Sequence, residues 1–349
     1  MPPDRSTDTD SRAERRRVRQ RRRAWTIAVA ALSIVALVLG VVLVTNSATA
    51  GRPTTSARRT GKTPQTPSTS SPRTGATTPV TVPPTSTTST STTSTTSAGT
   101  DGAGPFSAAA VAYLKSRRGN DTAAVLDVST GQTWTYNPGE AQDTASIVKV
   151  DIMATLMAQE TAKGETIPAD QLPVLTSMIE VSDNDSATSL WNSAGGPSAI
   201  GAFDRSIGMV DTTPSTCLVC AGFQWPGWGL TTTTATDQLT LLKTLLFPSS
   251  SISAADRAEA TTLLENITPS EDWGISGGVP SGVTIALKNG WVPVSDGTWQ
   301  INSIGWVDGA GRNYLVAVLT DENPDEQYGI DTINTLSGYI WNAMAPAGN

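Results

Sequence analysis

The sequence predicts an α+β fold in which an antiparallel sheet of about five strands packs against a helical lobe. Three observations favour this fold class: strand patterns near both ends of residues 106–349, helical patterns between them, and a hairpin signal joining the last two strand patterns. Strands at both ends of a chain bring those ends together in one sheet, and the helices between them pack against it.

The first half of this region begins with a helix and two strands. A helical pattern covers residues 106–118, and residues 123–128 and 133–136 are strand patterns joined by a Ser-Thr-Gly turn. Helical patterns then dominate from Ile147 to about Ile267. Within that stretch we expect helices at residues 147–157, 186–193, 197–207, 235–247 and 254–266.

The second half supplies three strands and a closing helix. The strand patterns cover residues 283–288, 299–307 and 314–320. The last two are linked by Asp308-Gly-Ala-Gly-Arg312, whose glycines are typical of a tight hairpin. Residues 328–344 have the pattern of an amphipathic helix, and the region contains no internal repeat. One folded domain, residues 106–349, is therefore expected.

Composition divides the chain before residue 106 into three further regions. Residues 1–24 carry nine arginines against four acidic residues, residues 25–44 carry no charge, and residues 45–105 are nearly all Ser, Thr, Pro, Gly and Ala. An apolar segment of twenty residues can cross a bilayer, and the arginines before it predict a cytoplasmic N-terminus. The third region cannot bury a core and is predicted to be a disordered linker.

These regions predict an extracytoplasmic domain that residues 25–44 tether to the cell membrane as a single transmembrane helix. A secreted protein cleaved after Ala50 is the alternative, because Ala48-Thr-Ala50 resembles a signal-peptide cleavage site. From residue 106 onward, twenty-six acidic residues outweigh ten basic ones. So acidic a domain is a poor partner for nucleic acid or an anionic membrane surface, and we expect it to bind neither.

The two cysteines and the absence of histidine exclude several kinds of site. Cys217 and Cys220 lie outside the membrane in the predicted topology, where thiols oxidise, so we expect a disulfide between them. Two cysteines without any histidine cannot complete a zinc site, and neither a metal nor another cofactor is expected. An activated serine must then use a lysine, a carboxylate or another serine as its proton acceptor.

A serine and a lysine stand at the start of the most apolar helical segment. Ser146 lies at its N-terminus, where it or Thr144 can cap the first turn, and Lys149 follows one turn later on the same side. An ammonium in an apolar helix is costly, so burial lowers the lysine pKa towards that of a neutral amine at pH 7. A neutral amine beside a serine hydroxyl is a base beside a nucleophile, although S-x-x-K alone also arises by chance.

Two later tripeptides complete a pattern with the first. Ser182-Asp-Asn184 stands where a polar turn enters a helix, and Lys288-Asn-Gly290 ends a predicted strand. In the order S-x-x-K, S-D-N and K-x-G, these motifs resemble the penicillin-recognising serine hydrolases, which include class A β-lactamases and penicillin-binding proteins. The resemblance covers residues 106–349 and includes Thr231-Thr-Thr-Thr234, which is similar to the threonine run after the Ω-loop of the class A enzymes. It implies a β-lactamase/transpeptidase-like fold.

The resemblance also implies a role for each matching residue. The implied catalytic residues are Ser146 as the nucleophile, Lys149 as its proton acceptor and Ser182 as the proton relay to the leaving nitrogen. The implied substrate contacts are Asn184, Lys288, Asn289 and Gly290, with the Lys288 charge on the substrate carboxylate. The implied oxyanion hole consists of the backbone N–H groups of Ser146 and Trp291.

Two departures from the family pattern bear on turnover. Asn289 replaces the hydroxyl residue of the third motif, and its amide can still donate to a carboxylate. The class A enzymes place a deacylating glutamate on the Ω-loop, but residues 212–236 of this chain contain no acidic residue. Asp211 and Asp237 flank this acid-free stretch, but they lie too close to its ends to be assigned the role of the deacylating glutamate. Acylation can therefore survive while hydrolysis of the acyl-enzyme slows by about 10²- to 10⁴-fold.

We expect a monomeric serine hydrolase that acts on a β-lactam or related amide through an acyl-enzyme. The alternatives are a penicillin-binding D-Ala-D-Ala peptidase of the cell wall and a non-hydrolytic β-lactam receptor or sink. The missing glutamate favours the receptor, because slow deacylation is what a receptor requires. The side chains of Trp225, Trp228 and Trp291 either line the cleft or pack in the core.

Overall fold

The computed structural model describes residues 104–294 and 296–346. The basic segment 1–24, the apolar segment 25–44 and all but the last two residues of the linker lie outside the described residues. Among the helices that are described, none is both long enough and apolar enough to span a membrane.

Helices and strands follow one another within these residues largely as the sequence predicts. The helices are α1 (Ala108–Lys115), α2 (Val148–Lys163), α3 (Leu172–Glu180), α4 (Asn184–Ser193), α5 (Gly196–Ile207), α6 (Ala235–Leu246), α7 (Ala254–Glu265) and α8 (Glu326–Ala343). The strands are β1 (Asn120–Asp127), β2 (Thr133–Tyr136), β3 (Gln142–Asp143), β4 (Thr232–Thr233), β5 (Thr284–Pro293), β6 (Trp299–Gly309) and β7 (Arg312–Asn323). Short 3₁₀-helices cover Ala145–Ile147, Gly227–Leu230 and Gly274–Ser276.

Five of the strands form one antiparallel sheet in the order β2-β1-β7-β6-β5. Strand β1, from the start of the domain, pairs with β7 near its end, and Ala124 lies opposite Ala317 in that ladder. Strands β3 and β4 form a separate small pair. The predicted α+β class, with a sheet of about five strands built from both chain ends, is confirmed.

The hairpin between β6 and β7 forms where the glycine-rich signal predicts it. Its two central residues, Ala310 and Gly311, have φ angles of +49° and +77°. Positive φ at both central positions is what a type I′ turn requires, and this turn type matches the natural twist of paired strands. The turn therefore fixes the register of the two longest strands of the sheet.

Apolar side chains fill both faces of the sheet. One buried cluster joins the sheet to α2 and the helices around it, and a second joins the opposite face to α1 and α8. Residues 148–157 of α2 are all buried, as the apolar pattern predicts for this helix. Because α2 has no exposed face over this stretch, any polar side chain on it must find its partners inside the protein.

The start of α2 differs from the prediction. Neither Thr144 nor Ser146 caps the helix through its side chain, because a 3₁₀ turn at Ala145–Ile147 precedes the first α-helical residue. The Thr144 hydroxyl instead donates to the Gly229 carbonyl at 3.4 Å, which ties this turn to the following loop. The Ser146 hydroxyl is consequently not used by the helix backbone.

Helix α2 also carries a buried acid, Asp151, whose carboxyl group interacts electrostatically with that of Asp204 of α5. Both side chains are at most 1% exposed. Burial, followed by the negative charge of Asp204, raises the pKa of Asp151, and burial likewise raises the pKa of Asp204. The pair therefore holds a proton in the folded protein at a pH where the unfolded chain has lost it. Its contribution to stability is full below the ordinary carboxyl pKa and is lost as the pH rises through the raised pKa values.

Replacing this shared proton by an amide should make the protein more stable at alkaline pH. In Asp151→Asn, the new amide can donate to the Asp204 carboxylate at any pH, so we expect a gain of about 1–3 kcal/mol at pH 8 and little change at pH 5. Chemical denaturation at the two pH values measures this, with the exposed Asp170→Asn as the control. A loss of stability in Asp151→Asn that is equal at both pH values would contradict the shared proton.

Candidate active site

The polar residues of the three motifs converge at the start of α2. Ser146 lies in the 3₁₀ turn before that helix, Ser182 and Asn184 lie where α3 leads into α4, and Lys288 lies on β5. The backbone is left-handed at Ala145 and Ser182, with φ angles of +46° and +56°. In residues other than glycine, such conformations cost roughly 1–3 kcal/mol and persist only where surrounding contacts hold them. Ala145 precedes Ser146 in the chain, and Ser182 itself carries a hydroxyl of the site.

Lys149 is fully buried, and its Nζ contacts oxygens of three residues. Nζ lies 3.0 Å from Ser146 Oγ, 3.0 Å from Ser182 Oγ and 2.9 Å from Asn184 Oδ1, and it also donates to the Ser182 carbonyl. Burial lowers the pKa of Lys149 to about 6, and the positive charge of Lys288 is the second cause. Lys149 is therefore mostly a neutral amine near pH 7.

The partners of this amine fit the neutral form. A neutral amine has two hydrogens and one lone pair, and both the Ser182 carbonyl and Asn184 Oδ1 can only accept hydrogen bonds. These two acceptors take the two hydrogens, which leaves the lone pair for a serine hydroxyl. Ser146 Oγ, at 3.0 Å, is placed to donate to it. This is the arrangement that a nucleophile and its base require.

Lys288, like Lys149, contacts the hydroxyl of Ser182. Its Nζ donates to Ser182 Oγ at 3.0 Å and to the Asn289 carbonyl at 3.1 Å, and lies 3.8 Å from Glu271 Oε2. Burial lowers the pKa of Lys288 to about 8, against the opposing charge of Glu271. Lys288 thus stays mostly protonated near pH 7, and its charge helps to keep Lys149 neutral.

Asn289 is held by the protein backbone. Its side chain is fully buried, and its Nδ2 donates to the carbonyls of Glu271 and Trp273 at 2.6 Å and 3.0 Å. Successive side chains of a strand point to opposite faces, so Asn289 points away from the face on which Lys288 meets Ser182. Both amide hydrogens are engaged in this structure, so a contact between this side chain and a substrate carboxylate would have to replace one of these bonds.

Gly290 lies directly against the turn that carries Ser146. A Cβ at this position would lie 2.7 Å from the Thr144 carbonyl oxygen and 2.8 Å from the backbone nitrogens of Ser146 and Ile147. Only glycine permits so close an approach of β5 to the turn. Trp291, the next residue, lines the same cleft as Ser146, and these two residues carry the N–H groups implied for the oxyanion hole.

A short loop rich in aromatic residues, residues 217–228, covers the other side of Ser146. A disulfide joins Cys217 to Cys220. The Phe223 N–H donates to the Cys220 carbonyl at 3.1 Å, and the Gly227 N–H donates to the Leu218 carbonyl at 2.8 Å. The disulfide and the first hydrogen bond lie within residues 217–223 of this aromatic loop, and the second hydrogen bond joins the end of the loop to its start.

Trp228, at the end of the aromatic loop, lies beside the lysine base. The side chain is 3% exposed, and its ring centroid lies 5.0 Å from Lys149 Nζ. Its Nε1 donates to Thr188 Oγ1 of α4 at 3.0 Å, which fixes the orientation of the ring. An apolar ring, and not a carboxylate, is thus the part of this loop that contacts Lys149.

Ser146 opens onto a solvent-accessible cleft whose space, open solvent included, is about 280 Å³. The cleft is lined by Ala145, Ser146, Asn184, Phe223, Trp225, Pro226, Trp228, Gly229, Trp291 and Val292. The three tryptophans noted in the sequence all border it, and Trp225 is 47% exposed. No charged side chain lines this cleft within the described part of the chain.

Two residues of the site escaped sequence reasoning. Glu271 lies in the segment between α7 and β5, seventeen positions before Lys288, and no local pattern links the two. Thr188, which orients Trp228, is one of many threonines of the domain.

The sequence model of a family described as "Beta-lactamase enzyme family" matches residues 157–344, just over half of the chain. Curated relatives described as "Putative lipoprotein LppW", from Mycobacterium tuberculosis and Mycobacterium bovis, are 26% identical over 211 residues. That alignment covers 58% of this chain and 63% of the relatives, so the chain spans less than two thirds of their length.

Solved structures of class A β-lactamases share the fold. A variant of the class A β-lactamase of the last common ancestor of Gram-negative bacteria matches with a TM-score of 0.59 at 24% identity, covering 67% of this chain and 96% of that one. The TLA-1 extended-spectrum β-lactamase matches with a TM-score of 0.60 at 16% identity, covering 68% and 97%. At these identities the match establishes the architecture alone.

Proposed function

Because this chain belongs to the β-lactamase enzyme family, we propose that it attacks β-lactams or related amides through an acyl-enzyme formed on Ser146. One observation carries this proposal: a continuous run of contacts joins Ser146 Oγ, Lys149 Nζ, Ser182 Oγ and Lys288 Nζ, with each step 3.0 Å long. Such a run connects a nucleophile to its base and the base to a hydroxyl that can serve the leaving group.

Acylation follows from these positions. Ser146 Oγ attacks the amide carbonyl carbon while its proton passes to the neutral Lys149. The carbonyl oxygen becomes an oxyanion, which the backbone N–H groups of Ser146 and Trp291 stabilise. The C–N bond then breaks, and the leaving nitrogen takes the proton from Lys149 through Ser182 Oγ. The product is an ester on Ser146, and no proton has been gained or lost.

Hydrolysis of that ester needs a base for the attacking water. Residues 212–236 contain no acidic residue, and the side chain of the aromatic loop that lies against Lys149 is the Trp228 ring. Asp237 accepts hydrogen bonds from the Asp211 N–H and Thr212 Oγ1 at 2.9 Å and 2.8 Å, so it is committed outside the cleft. We therefore infer that deacylation is slow, by about 10²- to 10⁴-fold relative to a site with a positioned base.

Slow deacylation makes a β-lactam receptor or sink the second candidate function. The supporting observation is the same apolar contact between Trp228 and Lys149. A D-Ala-D-Ala peptidase of the cell wall is the third, since an acyl-serine on the same residues would serve it. These readings differ in the fate of the acyl group, whereas acylation of Ser146 is common to all.

We place this chemistry outside the cytoplasm, in a domain tethered to the membrane by residues 25–44. The relatives described as lipoproteins agree with a membrane attachment. Both cysteines of this chain are joined to each other, so neither is available for a covalent lipid, and the apolar segment is the expected anchor. Extraction from membranes by detergent, but not by alkaline carbonate, is the expected behaviour of the full-length protein.

The lifetime of the adduct tests the proposed function. We expect intact-mass spectrometry of the full-length protein with benzylpenicillin to show one adduct that persists after excess ligand is removed. Ser146→Ala serves as the control and should show none. A short-lived adduct with accumulating hydrolysed ligand would instead indicate an efficient enzyme, and absence of any adduct would refute the proposal.

A further inference from the structure

We propose that the cleft selects acyl donors that carry a flat aromatic group on the acyl side and that it makes little use of a substrate carboxylate. This inference concerns the substrate class and rests on the proposed acylation of Ser146. It follows from two independent features of the structure, the composition of the cleft wall and the pairing of the buried Lys288 with Glu271.

The wall of the cleft offers aromatic surface at the nucleophile. Phe223, Trp225, Trp228 and Trp291 all line it together with Ser146. Trp225 is 47% exposed, an unusual state for a large apolar side chain, and its position in the cleft gives a ligand ring a surface to stack on. Trp291 packs edge-on against Trp273 at 5.8 Å between ring centroids, which holds the opposite wall in place.

The aromatic loop is also held by contacts within itself. The Cys217–Cys220 disulfide closes one end, and Gly227 packs so closely on Cys217 and Cys220 that a Cβ would overlap both. A preformed wall binds a ring at a lower entropic cost than a loop that must first become ordered.

The cation expected to bind a carboxylate already has partners inside the protein. Lys288 Nζ donates to Ser182 Oγ and to the Asn289 carbonyl, and it forms an ion pair with Glu271 Oε2 at 3.8 Å. Lys288 is 1% exposed, and the buried Glu271 compensates its charge. A substrate carboxylate would have to compete with Glu271 for this charge.

The remaining donor of the third motif likewise already has partners inside the protein. Asn289 gives both amide hydrogens to backbone carbonyls on the far side of β5. No charged side chain lines the cleft among the described residues. The cleft therefore gains little binding energy from an anionic group and more from apolar contact with a ring.

Three acyl donors separate the contribution of the aromatic group from that of the carboxylate, because two of them each differ from the first by one group. Benzylpenicillin carries both a phenylacetyl group and a carboxylate, its methyl ester lacks the free carboxylate, and 6-aminopenicillanic acid lacks the aromatic acyl group. For full-length protein, we expect benzylpenicillin and its methyl ester to acylate with second-order rate constants within about tenfold of each other. We expect 6-aminopenicillanic acid to be slower by a larger factor.

Variants on the aromatic loop provide the matched comparison. Trp225→Ala removes an exposed cleft side chain, and Val219→Ala removes an even more exposed side chain, 92% accessible, outside the cleft. Trp225→Ala should slow both phenylacetyl donors about fivefold, since stacking contributes on the order of 1 kcal/mol. It should leave 6-aminopenicillanic acid unaffected, and Val219→Ala should change none of the three. Equal rates for benzylpenicillin and 6-aminopenicillanic acid, or a methyl ester slower than benzylpenicillin by more than about tenfold, would overturn the proposal.

A binding readout keeps this inference separate from the proposed function. In Ser146→Ala, saturation transfer from the protein to the ring protons of phenylacetylglycinamide should be observed and should be lost in the double variant with Trp225→Ala. If no donor acylates the parent protein but this transfer is seen, the acyl-enzyme fails and the aromatic subsite stands. Absence of transfer refutes the aromatic subsite whatever the result of acylation.

Discussion

Replacing Lys149 by methionine should slow acylation of Ser146 by about 10²- to 10⁴-fold, the usual contribution of a general base. The chain contains no histidine that could replace the amine. Methionine keeps the unbranched shape of the side chain in a fully buried position. It leaves two acceptors of the site without their donor, which costs about 1–3 kcal/mol each, but it also removes a polar group from an apolar helix. The domain should remain folded.

The pH profile separates a base from a merely structural cation. In the parent protein, acylation should rise as the pH increases through about 6, where Lys149 loses its proton. Lys149→Met should lose the acidic limb. Acylation of Lys149→Met at the parent rate would make Lys149 a core cation only. Asp151, the acid nearest to Lys149 in the sequence, interacts electrostatically with Asp204 instead.

Gly290→Ala should reduce both acylation and stability. The added Cβ would lie within 2.8 Å of three backbone atoms of the turn that carries Ser146. Backbone atoms cannot move aside cheaply, so β5 must shift away from the turn and separate the two N–H groups of the oxyanion hole. Loss of one such donor costs about 10²- to 10³-fold in rate, and overpacking costs about 1–3 kcal/mol in stability. Acylation kinetics and chemical denaturation measure the two effects.

Gly338→Ala is the matched control for this variant. Gly338 lies inside helix α8, and a Cβ there would meet its nearest neighbour at an ordinary contact distance of 3.9 Å. The change should leave acylation unaffected and stabilise the helix by up to about 1 kcal/mol, because alanine has the higher helix propensity. Gly290→Ala with the parent acylation rate would show that β5 does not build the oxyanion hole.

Helices and strands with a clear local sequence pattern could be predicted from the sequence. The apolar run of α2 predicts a buried helix, and the helix is buried along residues 148–157. The extent of β5 was predicted less well: the strand pattern ends near Lys288, but the strand continues to Pro293. Lys288-Asn-Gly290 has the composition of a turn, and it stays extended because it pairs with β6 and packs against the Ser146 turn.

The site shows the same division between local and tertiary information. Motif order brought Ser146, Lys149, Ser182 and Lys288 together correctly as neighbours. The direction of Asn289 could have been derived from strand alternation once Lys288 was assigned to one face, but the family resemblance alone assigned it to the substrate. Glu271 depends on how the segment before β5 folds back on Lys288, and no sequence pattern encodes that contact.

The site of acylation tests the central claim most directly. Full-length protein incubated with benzylpenicillin is digested, and the peptides are mapped by mass spectrometry. We expect the added mass on the peptide that contains Ser146, with fragment ions assigning it to that hydroxyl, and a strongly reduced yield in Lys149→Met at equal times. An adduct on any other residue, or equal yields with and without the lysine, would contradict a Ser146 nucleophile activated by Lys149.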